Sequence, residues 1–176
     1  MSLLTYRNCR FLKREEAFTL VELMGVMVVI GILAGLTLGG AGAVRRQGAV
    51  NQAKAEIAAL QAACERYYAD NNAYPIANSD NPTSAFNPSS YNNAALFSAL
   101  FGTNNYSLKP SGKRYFEPKP SMVSSTNSVN PSFVDPWGYK YGYNSDGTNA
   151  PVIWSTAGQT TGGNLTNKWI TSWPKM

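Results

Sequence analysis

The sequence predicts an α+β fold: a long N-terminal helix, apolar enough in its first half to span a membrane, packed through its second half on a small antiparallel β-sheet domain. Three observations lead there. No charged residue occurs from Leu23 to Val44, a helical run that at about 1.5 Å per residue crosses a hydrocarbon core of roughly 30 Å. Apolar positions then continue at helical spacing through Val50, Ala53, Ile57, Leu60, Cys64 and Tyr67, the stripe of a helix laid against a globular body. Beyond Pro75, "YKYGYNSDG", "APVIWST" and "NKWITSW" read as short strands, the first ending in an Asp146-Gly147 turn.

Residues 1–17 read as a leader. Arg7, Arg10, Lys13 and Arg14 lie in it, and no later basic run is longer than Arg45-Arg46 or Lys113-Arg114. The net charge of +5 over 176 residues therefore resembles a targeting signal more than a nucleic-acid footprint, and no nucleic-acid partner is expected. Cations ahead of the apolar run place the N-terminus in the cytoplasm and everything after Val44 outside. Histidine is absent, which removes His-based triads, imidazole haem ligands and the usual zinc sites, so no enzyme activity is predicted. The two cysteines, Cys9 and Cys64, fall in the leader and in the helical pattern, so no disulfide framework is expected.

Two segments make the helix, 18–44 as its transmembrane or assembly half and 45–74 as its amphipathic half. No proline precedes Pro75, so one helix of about 80 Å is allowed from Thr19 to Asn72. Asn51, Lys54, Glu65 and Arg66 fall off the apolar stripe, as an amphipathic helix requires. The glycines at 39, 40 and 42 allow two readings, a place to bend or melt, or small residues for close packing in a membrane. Residues 75–176 form the globular domain. It opens with an Asn-, Ser- and Pro-rich surface loop, "IANSDNPTSAFNPSSYNN", and "AALFSALF" has the apolar density of a short helix returning to the core.

Glu22 stands just inside the apolar run. An acidic residue at a bilayer centre costs about 2.5 to 3.5 kcal/mol, so it is either a tolerated interfacial acid or a group with a partner elsewhere. A cut before Val44 after "AGA" would make the whole region an ordinary secretory signal, although the apolar stretch exceeds the usual length of about 7 to 15 residues.

"AFTLVELMGVMVVIGILAGL", residues 17–36, resembles the N-terminal signature of type IV pilins and type II secretion pseudopilins, with Ala17 where the family usually has glycine. "CERYYADNNAYP" is similar to the pilin pattern at the helix exit, and "DPWGYKYGY", 135–143, resembles a segment of the major, G-type pseudopilin. The resemblance implies a pilin-like fold. It also implies cleavage between Ala17 and Phe18 by a prepilin peptidase, N-methylation of Phe18, and a homo-oligomeric filament held by Glu22 against the Phe18 amine of a neighbour. A bacterial inner-membrane location follows, single-pass with a cytoplasmic N-terminus, from which a periplasmic filament assembles. The implied partners are the inner-membrane assembly platform with its ATPase, and minor pseudopilins. The function is then that of a pseudopilus subunit driving export of folded proteins. A type IV pilin for adhesion, motility or DNA uptake is the alternative reading, and a monomeric membrane-anchored binding domain a third.

The major pseudopilins resembled here carry a calcium site in their C-terminal loop, built by carboxylates and carbonyls. The corresponding stretch, 155–173, contains no Asp or Glu. Neutral Thr160, Thr161, Asn164 and Asn167 would make a weak site, so no metal or other cofactor is expected.

Overall fold

The computed structural model describes residues 18–77, 80, 87–127, 129–160 and 168–174, without the side chains of 37–41. The leader, Ala17 included, lies outside them. The chain divides into two units, one ending at Gly42 and one beginning at Ala43.

Helix α1 (Leu20–Asn71) contains both kinds of sequence that the apolar pattern separates. Its backbone stays helical through Gly39, Gly40 and Gly42, so the glycine cluster does not melt it. In the first unit the described large apolar side chains, from Phe18 and Leu20 to Leu36, are exposed all round the helix. Among the described residues no helix is long and apolar enough to cross a membrane. The uncharged run from Leu23 to Val44 is interrupted there by 37–41, whose side chains fall outside the description.

From Ala43 onwards the stripe behaves as its spacing requires. Ala53, Ile57, Leu60 and Cys64 are buried, Val50 and Tyr67 pack at the margin, and Asn51, Lys54, Glu65 and Arg66 are exposed. Asn72 adopts φ 55° beyond the last turn and donates its N–H to the Tyr68 carbonyl at 2.7 Å, an ending that Asn tolerates and that Pro75 makes final. Polar bonds then fix the domain to this half of the helix. The Tyr141 hydroxyl donates to Glu56 at 2.6 Å and Lys113 pairs with Asp70, while just past the helix the Tyr143 hydroxyl donates to the Pro75 carbonyl at 2.6 Å.

Helix α2 (Ala94–Phe101) covers the residues whose apolar density predicts it, burying Leu96, Phe97, Leu100 and Phe101. It stops at Gly102, φ +83°, where a Cβ would stand 3.1 Å from the carbonyl oxygens of Gly112 and Lys113. Three strands follow, β1 (Gly142–Asn144), β2 (Val152–Ser155) and β3 (Ile170–Thr171), antiparallel in the order β1-β2-β3. Tyr143 opposite Ile153 faces the main core, while Trp154 turns to the other side against Tyr91 and Trp169. The Trp154 indole lies over Gly142, where a Cβ would come within 2.1 Å of the ring. Only glycine fits there.

Two expectations need correction. The first strand is shorter than "YKYGYNSDG", because Lys140 pairs instead with Val134 in an isolated bridge. In the same segment Tyr141 and Tyr143 are core, whereas Tyr139, like Trp137 just before it, is half-buried. The loop after Pro75 is irregular at its described residues but is not all surface, since Asp80, Tyr91 and Asn93 are buried. The Asp80 carboxylate accepts the N–H groups of Asn92 and Tyr143, each at 3.2 Å.

Asn93 is the densest of these internal bonds. Fully buried at the start of α2, its side-chain amide donates to the carbonyls of Phe133 (3.0 Å) and Tyr141 (2.8 Å), and its Oδ1 accepts the Phe133 N–H at 2.7 Å. Asn93→Ala strands the Phe133 N–H and the Tyr141 carbonyl, while the Phe133 carbonyl keeps the Tyr141 N–H at 3.1 Å, and is expected to lower stability by about 2 kcal/mol, read by denaturant unfolding of the full chain in detergent. A loss under about 1 kcal/mol would mean that the backbone groups find other partners.

Burial, reinforced by the charge of Glu65, pushes the Cys64 thiol up to about 12 from 9.0, against a lowering bond from Tyr143. The unfolded thiol therefore ionises first as pH rises above 9, and the folded state loses stability until its own thiol ionises. Burial also raises Tyr141 and Tyr143, which adds to the same slope above pH 10. Stability measured between about pH 8 and pH 10.5 should fall by roughly 1 kcal/mol per unit once past pH 9. Cys64→Ala should move that onset to near pH 10. An unchanged onset in the variant would remove the thiol as its cause.

Candidate functional site

The start of α1 brings together the residues that the sequence marks out. Thr19 sits just before the first helical residue, and Glu22 three positions on. The Glu22 N–H donates to Thr19 Oγ1 at 3.2 Å. In return, one carboxylate oxygen of Glu22, Oε2, accepts the Thr19 N–H at 2.9 Å and the Thr19 hydroxyl at 2.8 Å. This is a capping box, in which side chains at the two ends of the first turn satisfy each other's otherwise unpaired backbone donors. A carboxylate at a helix N-terminus also meets the positive end of the helix dipole. Glu22 Oε1 has no hydrogen-bond partner among the described residues.

Sequence reasoning missed this box, although the signal is present. "TLVE" immediately before an apolar run is the T-x-x-E pattern that starts a helix. Glu22 therefore has a partner within its own chain, in addition to whatever it meets in an assembly.

Phe18 and Glu22 share one side of the helix with Gly25, Val26, Val29 and Ile30, which line a shallow open groove. Their spacing follows the three-to-four residue period of a helix face. Phe18 is 81% exposed, and a Cβ added at Gly25 would meet nothing within 4 Å. The face is thus apolar and unfilled, with a single carboxylate at its beginning. Of the two residues that the expected cleavage would separate, Phe18 is at this end and Ala17 lies outside the described residues.

Two other carboxylates are held by local bonds. Asp146 is held at about 2 by the N–H and side chain of Asn149 and the N–H of Thr148, and Gly147 with φ +86° completes the expected turn. Asp135 is the buried one. Its Oδ1 accepts the N–H groups of Trp137 (3.0 Å) and Tyr139 (2.9 Å), and its Oδ2 accepts the Ser155 hydroxyl at 2.6 Å. Burial raises its carboxyl above the usual range, while these donors pull the other way. Among the described residues no three acidic, thiol or imidazole side chains gather as metal ligands. Of the weak-site residues named above, Thr160 is exposed, and Thr161, Asn164 and Asn167 lie outside the described residues.

The family model described as the prokaryotic N-terminal methylation motif matches residues 12–38, which span the capping box and the start of the apolar face. The type II secretion system core protein G of Pseudomonas aeruginosa is 31% identical over 139 residues, covering 79% of this chain and 80% of that protein. The core protein G of Aeromonas hydrophila is 33% identical over 94 residues, 50% of this chain and 66% of its own. That of Escherichia coli is 35% identical over 65 residues, 37% of this chain and 45% of its own. No solved structure matches the chain. Similarity over four-fifths of the Pseudomonas protein, with the methylation motif at its start, shows the family: the chain belongs to the pseudopilins of type II secretion, as a structural subunit of the core protein G kind.

Proposed function

We propose that this subunit is held in the bacterial inner membrane by residues 18–44, N-terminus in the cytoplasm, until it is drawn into a periplasmic pseudopilus that drives export of folded proteins. Its role is structural rather than catalytic. Prepilin peptidase cuts between Ala17 and Phe18, and the new amine of Phe18 is methylated. The helix then leaves lipid for a bundle of identical helices, with the assembly platform, its ATPase and minor pseudopilins as the other components. The observation that carries this reading is the exposed apolar face of α1 that begins with Phe18 and Glu22. Such a face suits both lipid and a second copy of itself. Its one acid favours the second, because a carboxylate that costs energy in lipid gains a cation from the neighbour's Phe18.

Thr19 enters as the residue that orients the carboxylate. With Oε2 held by the cap, the neighbour's amine would approach Oε1, so the pair forms without undoing the helix start.

The test compares Glu22→Gln with wild type after confirming by mass that both begin at methylated Phe18. Filament yield should fall at least about tenfold, which corresponds to ~1.4 kcal/mol in the assembly step. Wild-type yield from Glu22→Gln would sink the pairing, and a mature terminus at Val44 would sink the filament reading itself.

Thr19→Val removes the cap at a cost of about 1 kcal/mol to the helix start. It should lower filament yield in part, with Thr19→Ser restoring it. Equal yields from the valine and serine variants would show that the cap plays no part in assembly.

A further inference from the structure

The resemblance to major pseudopilins implies a calcium ion in the segment between β2 and the C-terminus, and the residues present do not suit one. Calcium takes six to eight oxygens with anionic help. From Ser155 to Trp173 the only charged residue is Lys168, a cation that repels a second one. Asp135, a buried carboxylate bonded to the described part of this segment, is already engaged. Its two oxygens accept three donors at 2.6 to 3.0 Å, from Ser155, Trp137 and Tyr139.

We infer that in this pseudopilin the segment is closed without a divalent cation, by a clasp centred on Asp135. At its near end the Ser155 hydroxyl donates to Asp135 and accepts the Ala157 N–H at 3.0 Å. The chain then reverses in a tight turn, with Ala157 at φ 52°, Gly158 at φ +81° and the Gln159 N–H donating to the Thr156 carbonyl at 3.1 Å. Two successive left-handed residues define this turn type. Trp137, from the turn that Asp135 organises, lies close enough to Gly158 that an added Cβ would stand 3.0 Å from the ring. At the far end Ser172 returns to β2, its N–H donating to the Ile153 carbonyl at 2.8 Å and its Oγ accepting the Ile153 N–H at 3.0 Å. Trp173 rests edge-on to Trp154. Both ends of the segment are thus fastened by the protein's own groups, and the entropy of closing the stretch between them grows only slowly with its length.

The inference rests on the family assignment but not on filament formation, so its test reads the folded subunit alone. The full chain in detergent, stripped of metal with EGTA, is unfolded thermally while tryptophan fluorescence is followed, with and without millimolar calcium. The midpoint should move by less than about 1 °C. A site filled at a hundredfold its dissociation constant would raise it by roughly 5 to 10 °C, and such a rise would overturn the inference. Ser155→Ala and the more severe Asp135→Asn should lower the midpoint equally in calcium and in EGTA. Recovery of either variant by calcium would also overturn it. Should Asp135→Asn fail to fold, the wild-type and Ser155→Ala melts still decide.

Discussion

A buried backbone group must find a hydrogen-bond partner, and in this domain the sheet is too small to supply them. Among the described residues its strands cover only Gly142–Asn144, Val152–Ser155 and Ile170–Thr171, while chain outside them, around Phe133 and Tyr141, runs through the core. Short polar side chains therefore do what longer strands would otherwise do. Asn93 satisfies three backbone groups, Asp80 joins Asn92 to Tyr143, and Asp135 gathers Trp137, Tyr139 and Ser155. The packing of Phe97 against Phe133 and of α1 against Tyr141 depends on these bonds holding the irregular chain in place.

That division of labour sets what could be read in advance. The second half of α1 was legible from a hydrophobic period that burial enforces, its first half and α2 from unbroken apolar density, and the three strands from aromatic and β-branched runs bounded by turns. Asn93 and Asp80 were not, because Asn, Asp, Ser and Pro form a surface loop and a buried polar hub with the same composition. Only the partner groups, 12 to 63 residues away in the chain, distinguish the two. The site at the start of α1 was legible in identity and incomplete in chemistry. Phe18 and Glu22 stood out by their place beside an apolar run, whereas the bond between Thr19 and Glu22 follows only when the T-x-x-E spacing is set at the first turn of a helix.

The two stretches of α1 answer to different demands. From Ala43 onwards one face is committed to the core of its own domain, and the opposite face carries charge. From Phe18 to Leu36 the exposed surface is apolar on every side, so this part specifies no direction of approach by hydrophobicity alone. Burial of apolar surface is non-directional, and the proposed move of this helix from lipid to a protein bundle would gain little from it. Directional groups must set the register. The first stretch has one ionisable side chain, Glu22, at its start.

The capping box bears on how that register would be read. A free carboxylate on a flexible side chain could meet a neighbouring amine from several rotamers, and ordering it on assembly would cost side-chain entropy. Thr19 removes most of that freedom beforehand by holding Oε2 at 2.8 to 2.9 Å. In the proposed membrane-held subunit it would also keep the acid tolerable, since two donors and the helix dipole offset part of the cost of a charge near lipid. Because both bonds fall on one oxygen, an arriving cation adds a contact at Oε1 and need not displace one. The same threonine would then serve the subunit twice, by starting the helix and by presenting the acid in a single orientation to whatever copy comes next.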